Sequence, residues 1–332
     1  GRQPEARPGT ASYRGGMIEP RTLGTSDLVV PAIGMGCNNF SRIGTATQTQ
    51  EGSTAVIHAA IDHGIAFFDG ADIYGSEPGL SETFMGVALK GRRDEVVLAT
   101  KFGHAGVTMP GSEDWGPKGG ARYIRNAVEA SLTRLRTDRI DLLQMHTPDP
   151  STPIGETLAA LTDLVAEGKV RYVGSSNVSA AGLREADRVA RENGFVPFVS
   201  AQDEYSLLAR GVEDDVLPAV RELGLGFLPY FPLYNGLLTG KYTRSGGEGR
   251  ISALKPHLLE TVDWDRLEAY ERLCGAHGLT MLEATFGWLL AQGVASVIAG
   301  ATTPEQVARN AAAGAVVLPE GLADEISALF AR

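Results

Sequence analysis

The chain has 332 residues, with 30 Lys and Arg against 40 Asp and Glu, for a net charge of −10. That balance repels nucleic acid and anionic membrane surfaces at long range, so neither is expected as a partner. Hydrophobic residues at 43% and charged residues at 21% suit a sizeable buried core, and no apolar run is long enough to span a bilayer.

Residues 1–16 are rich in Gly, Pro and Arg and lack the apolar stretch of a secretory signal, so they read as a disordered extension with Met17 as a natural start. Residues 22–29 place turn formers between two short apolar runs and read as a β-hairpin. Strand-like runs follow at 30–36, 65–69, 96–101, 140–146, 170–175, 198–202, 226–230 and 296–299. Amphipathic helical patterns follow them at 54–63, 81–90, 121–135, 154–167, 180–193, 212–223, 264–277 with 282–292, and 304–313. The strand runs are continuously apolar rather than alternating, as parallel strands covered by helices require. Eight strand-then-helix units predict an α/β fold closed into a (β/α)₈ TIM barrel, with an open doubly wound sheet as the competing arrangement. Residues 322–330 read as an extra C-terminal helix. No linker-like stretch interrupts 17–332, so a single domain is expected, as a monomer or homo-oligomer.

In such a barrel the chemistry sits at the C-terminal ends of the strands. Asp69 ends the second run, Lys101 the third and His146 the fourth, and Tyr74 follows shortly after Asp69. A lone Asp at a strand end is usually a turn former, and a lone Lys is usually solvated. Their occurrence with a histidine at matching ends of three consecutive strands points instead to one catalytic mouth. Two cysteines, Cys37 and Cys274, match no redox or metal spacing, and neither CxxC nor HExxH occurs. Reduced thiols in a cytoplasmic protein, without a metal site, are therefore expected.

The segment Asp69-Gly-Ala-Asp-Ile-Tyr74-Gly resembles the Asp-x-Ala-x-x-Tyr-Gly signature of the aldo-keto reductase superfamily, and Ser81-Glu82 continues it. Ala99-Thr-Lys101, Gln144-Met-His146, Gly174-Ser-Ser-Asn177, Gln202-Asp-Glu-Tyr205, Tyr230-Phe-Pro-Leu233, Gly236-Leu-Leu-Thr-Gly240-Lys241 and Gly300–Asn310 resemble further motifs, in the family's order. The resemblance covers the chain from about Arg21 onward. It implies reduction of an aldehyde or ketone, such as a sugar or other small carbonyl compound, by hydride transfer from NADPH in preference to NADH. It also implies a tetrad of Tyr74, Lys101, Asp69 and His146. The residue types suit that reaction. Hydride delivery to a carbonyl carbon builds negative charge on its oxygen, which needs a proton donor within hydrogen-bond reach. Phenol ionises near pH 10, and a neighbouring ammonium favours the phenolate. Lys101 would be that cation, Asp69 would hold it, and His146 would donate to the substrate oxygen.

No GxGxxG fingerprint is present, and Gly236–Lys241 is one residue short of a P-loop. By resemblance the cofactor instead lies across the barrel mouth. Ser176, Asn177 and Gln202 would then meet the nicotinamide carboxamide, and Tyr230 would stack on its ring. Phe231, Pro232, Leu233, Leu237 and Lys241 would run along the pyrophosphate. Gly36, Gly300, Thr302, Gln306, Arg309 and Asn310 would complete the site at a helix N-terminus, which favours anions. Many members have Lys-Ser where Gly300-Ala301 stands and Arg where Gln306 stands, so the 2′-phosphate end departs from the common pattern. Asn38, Asn39, Phe40, Phe102, Trp115 and Tyr234 would form the substrate wall, and the long loop 102–120 has the length of a functional lid. Phe231 and Tyr234 are bulkier than the family's usual residues there. Competing functions are a sugar or secondary-alcohol dehydrogenase working in the oxidative direction, a cofactor-binding regulatory protein of the same fold, and a Schiff-base lyase using Lys101.

Overall fold

The computed structural model describes residues 12–13 and 17–332. The expectation of a disordered extension falls outside the described residues, except that Ser12–Tyr13 (β1) pairs antiparallel with Val316–Val317 (β12). The hairpin is present as Pro20–Thr22 (β2) and Val29–Pro31 (β3). Eight parallel strands follow: Ile33–Gly36 (β4), Phe67–Asp69 (β5), Val97–Phe102 (β6), Ile140–Met145 (β7), Val170–Ser176 (β8), Ser200–Glu204 (β9), Gly226–Tyr230 (β10) and Val297–Gly300 (β11). They lie in chain order around the sheet, with β11 beside β4, and the Ala295 N–H donates to the Phe227 carbonyl to link the remaining edges. The result is a (β/α)₈ barrel.

The apolar run expected at 30–36 proves to be two strands. Val29–Pro31 completes the hairpin, and the barrel strand begins only at Ile33. A continuous apolar run carries no mark of the bend between them, because Val30 before it and Ile33 after it are both fully buried.

Helices Gln50–Asp62 (α1), Leu80–Ala88 (α2), Ala121–Leu135 (α3), Ile154–Ala166 (α4), Ala180–Asn193 (α5) and Val216–Leu223 (α6) cover the outside of the barrel after successive strands. A short helix at Arg250–Leu254 (α7) precedes Trp264–Ala276 (α8) and Met281–Ala291 (α9), and Pro304–Gly314 (α10) follows β11. Several starts are set by side chains that satisfy orphan N–H groups. Thr280 and Glu283 form a capping box on α9, and Thr303 caps α10 just ahead of Pro304. The extra C-terminal helix, Leu322–Leu329 (α11), buries Leu322 and Ile326, while the Trp288 indole donates to the Ser327 hydroxyl at 2.8 Å.

Alternation along the strands divides the core in two. The larger part packs outward residues such as Phe68, Leu98, Leu143 and Met145 against the helices. The smaller fills the barrel with Phe67, Ala99, Leu142, Leu228 and Ile298, closed below by Leu23, Leu28 and Val30 of the hairpin segment. Arg21 fastens that plug by donating to the Val294 carbonyl at 2.7 Å. One layer higher, the same inward alternation delivers Asp69, Lys101, Gln144 and Gln202 to the open end. Cys37 and Cys274 are both buried free thiols. Among the described residues no helix is long and apolar enough to cross a membrane.

Candidate active site

Asp69 and Lys101 sit two residues beyond Phe67 and Ala99 on neighbouring strands, so both point into the barrel. Their ion pair, Nζ to Oδ2 at 2.8 Å, is nearly solvent-free, with side-chain exposures of 1% and 2%. A buried pair of this kind persists only when its remaining valences are filled. Here they are. Lys101 also donates to the Gly70 carbonyl at 3.1 Å, while Gln144 and Gln202 donate to Asp69 Oδ1 at 2.9 and 3.1 Å. Gln202 uses the same amide nitrogen to donate to Gln144 Oε1 at 2.9 Å. That leaves only its carbonyl oxygen for a ligand.

The third donor contact of Lys101 is to the Tyr74 hydroxyl at 3.4 Å. Tyr74 is carried by a loop pinned at both ends, its N–H on the Ala71 carbonyl and its own carbonyl accepting from Ser81 N–H. Burial alone would push the Lys101 ammonium down, but Asp69 and the Tyr74 phenol outweigh it and hold its pKa above the ordinary value. Burial acts in the opposite sense on the phenol, raising its pKa above the ordinary value although Lys101 draws it back. The neighbouring ammonium thus moderates the phenol without bringing it below the free-tyrosine range.

His146 follows β7 and stands edge-on to Tyr74, with ring centroids 6.0 Å apart. Burial, then the charge of Lys101, then His104 drive its pKa down to about 2, so the imidazole is neutral. Its Nδ1 is buried without a hydrogen-bond partner. Tyr74, Lys101, Asp69 and His146 therefore gather at the C-terminal ends of β5, β6 and β7.

Beside them lies a second linked group. The Tyr230 hydroxyl donates to Asn177 Oδ1 at 2.7 Å, and Asn177 Nδ2 donates to the His146 carbonyl at 3.0 Å and to Ser176 Oγ at 3.2 Å. Ser176 in turn donates to the Gln202 carbonyl. Asn177, Phe231, Tyr234 and Asn235 all hold positive φ, at 59°, 49°, 48° and 59°. Such backbone is costly for residues with a Cβ and collects at ligand-holding loops.

The segment after β10 carries Phe231, Pro232, Leu233, Tyr234, Leu237 and Lys241. Around it gather cations that sequence reading did not single out. Arg250 and Lys255 stand over the Phe231 ring at 5.5 and 5.3 Å. Burial lowers the pKa of Lys241, as do the charges of Arg42 and Arg250, and the Arg250 guanidinium is lowered by burial and by Arg42. None of Arg42, Lys241, Arg250 and Lys255 forms an ion pair among the described residues, and Arg250 Nε is buried without a partner. Uncompensated cations sharing one rim fit an anionic ligand. Lys241 belongs to the motif segment, whereas nothing in local sequence marks Arg42, Arg250 and Lys255, which come from the loop after β4, the start of α7 and the residue following that helix.

At β11, Gly300 lies opposite Gly36, and a Cβ on Gly300 would meet Asn39 Nδ2 at 2.6 Å. A side chain at 300 would require the Asn39 amide to move. Gln306 accepts from Thr302 N–H at 2.7 Å, Asn310 reaches back toward the Gly300 carbonyl at 3.5 Å, and Arg309 is exposed. Of the expected substrate wall, Asn38, Trp115 and Tyr234 stay partly exposed, with Trp115 edge-on to Tyr123 at 5.5 Å. Asn39 is buried and accepts from Arg42. Phe40 and Phe102 are buried in the main core and back the wall rather than forming its open surface.

The Aldo/keto reductase family model matches residues 32–330. The chain belongs to that family. It is 36% identical over 311 residues to "Probable aldo-keto reductase 1" of Glycine max, covering 91% of this chain and 86% of that protein. It is also 38% identical over 297 residues to "Uncharacterized oxidoreductase YrpG" of Bacillus subtilis, covering 87% and 89%. Family membership brings oxidoreductase chemistry on a small molecule with a nicotinamide cofactor.

Proposed function

We propose that the protein reduces an aldehyde or ketone to the alcohol with NADPH, and that Tyr74 is the proton donor. The observation that carries this reading is the Tyr74 hydroxyl held 3.4 Å from a buried, carboxylate-paired Lys101. When bound, the nicotinamide supplies the hydride. Tyr74 releases its proton to the carbonyl oxygen as negative charge develops there, and Lys101 stabilises the phenolate left behind. Asp69, fixed by Gln144 and Gln202, keeps the ammonium charged and in place. His146 has no positive charge to offer, so its role is an N–H hydrogen bond that orients the carbonyl.

Because burial holds the phenol above its ordinary range, Tyr74 stays protonated at neutral pH. That is the form reduction uses; the dehydrogenase alternative draws on the same residues in reverse, and the supply of reduced or oxidised cofactor decides between them. The same charged Lys101 is a poor nucleophile, which disfavours the Schiff-base lyase reading. The complete tetrad disfavours a purely regulatory protein.

Arg42, Lys241, Arg250 and Lys255 would hold the cofactor phosphates, and the nicotinamide end would fall to Ser176, Asn177, Gln202 and Tyr230. Gln306 in the first turn of α10 and Arg309 one turn further on would face the 2′-phosphate. Titrating each cofactor against tryptophan fluorescence tests the assignment, with NADPH expected to bind more tightly than NADH. Arg309→Ala should weaken NADPH by roughly tenfold, the scale of one hydrogen bond to a charged group, and leave NADH nearly unchanged. Equal binding of the two cofactors by the native protein would overturn the preference.

A further inference from the structure

A second imidazole stands at the mouth. His104 lies in the loop after β6, and its ring packs edge-on to His146 with centroids 4.6 Å apart. The loop around it is tightly held. Lys118 donates to the His104 and Val107 carbonyls, and Ala105 N–H donates to the Thr147 hydroxyl at 2.9 Å. The ring itself is oriented by Gly106, whose N–H donates to His104 Nδ1 at 3.0 Å. Nδ1 is thus the acceptor, and the neutral ring carries its proton on Nε2. That N–H has no hydrogen-bond partner among the described residues and is not among the buried orphans. Burial and the nearby Lys118 lower the His104 pKa, which keeps the ring in this neutral form.

Two neutral imidazoles in contact therefore each present an unengaged Nε2 at the same mouth. His146 Nδ1 is sealed off, so its exchangeable proton too belongs on Nε2. One donor suffices to place a carbonyl oxygen. A second donor in van der Waals contact with the first matches an oxygen on the adjoining carbon. We propose that His104 is a specificity-determining residue that donates a hydrogen bond to an oxygen next to the reacting carbonyl, so that the preferred substrates are α-oxygenated carbonyl compounds such as hydroxyaldehydes and vicinal dicarbonyls. The proposal rests on the reductase reading above and narrows its substrate class.

A donor that a bound ligand covers without accepting from it is left unsatisfied, which makes such a group a discriminator rather than a general binder. The test compares glyceraldehyde with propanal, and methylglyoxal with propanal, by kcat/KM under saturating NADPH. The native protein is expected to favour each oxygenated compound. His104→Phe keeps a flat ring against His146 but removes the donor, and should cut the preference ratio by roughly 3- to 10-fold, mainly through KM for the oxygenated compound. His104→Gln restores a donor and should recover part of the ratio. If His104 merely buttressed His146, both substrates would suffer alike in His104→Phe and the ratio would stand, which would overturn the proposal. A native protein that treats the paired substrates equally would overturn it as well. Absence of turnover on every carbonyl would remove the reductase reading itself, an outcome distinct from turnover with an unchanged ratio.

Discussion

Two opposing influences act on one phenol at the barrel mouth. Burial raises the Tyr74 pKa, and Lys101 is the largest influence drawing it down. Lys101→Met removes the cation and leaves the burial, so the pKa should rise further. Alcohol oxidation consumes phenolate, and its rate climbs with pH through the phenol's ionisation. The alkaline limb of oxidation should therefore move to higher pH in Lys101→Met, while reduction, which uses the protonated phenol, loses rate and has its alkaline fall-off moved upward by the same change. Oxidation profiles of the two proteins between neutral and strongly alkaline pH check this; coincident limbs would contradict the coupling. That Tyr74, Lys101, Asp69 and His146 would gather at one mouth was legible in the sequence, because each ends a strand-like run or lies just past one. Gln144 was legible as part of a motif but not as a partner of Asp69, since only closure of the barrel brings β5, β7 and β9 to one point. Arg250 and His104 were not legible at all. A cation in a Gly-rich loop and a histidine after a strand look like solvated residues until the fold surrounds them.

At the element scale, strand order and helix placement follow from hydrophobic period, and α3 and α5 begin and end where that period predicts. Boundaries missed where a tertiary contact decides them. The run at 30–36 breaks because Val30 must plug the barrel floor while Ile33 starts the wall. The turn at 211–213 is 3₁₀ rather than the first turn of α6, which begins at Val216. Contact between helices also fixes side-chain size. In α2, a Cβ on Gly86 would lie 2.3 Å from the Arg134 carbonyl at the end of α3, a backbone atom with little freedom to move. An alanine in a helix interior ordinarily gains about 0.5–1 kcal/mol over glycine. Overpacking costs about 1–3 kcal/mol, so Gly86→Ala should be net destabilising. Urea unfolding measures it, and an unchanged or raised midpoint would show that α2 and α3 can separate without penalty.

For the whole molecule, the hairpin seals one end of the barrel, so ligands have the opposite mouth, where every tetrad group lies. A chain with a net charge of −10 nevertheless concentrates Arg42, Lys241, Arg250 and Lys255 around that mouth. The global charge argues against polyanionic partners, and the local one suits a single phosphorylated cofactor; the two scales do not conflict, because screening confines each to about 10 Å. Carbonyl reduction through Tyr74 is the activity proposed for this mouth. The most direct measurement follows NADPH oxidation over a panel of aldehydes, ketones and keto-sugars with the native protein and with Tyr74→Phe, alongside NADPH binding to both. The expected result is turnover by the native protein, a loss on the order of 10²–10⁴-fold in Tyr74→Phe, and nearly equal NADPH affinity in the two. Near-native reduction by Tyr74→Phe of every carbonyl that the native protein accepts would contradict the account.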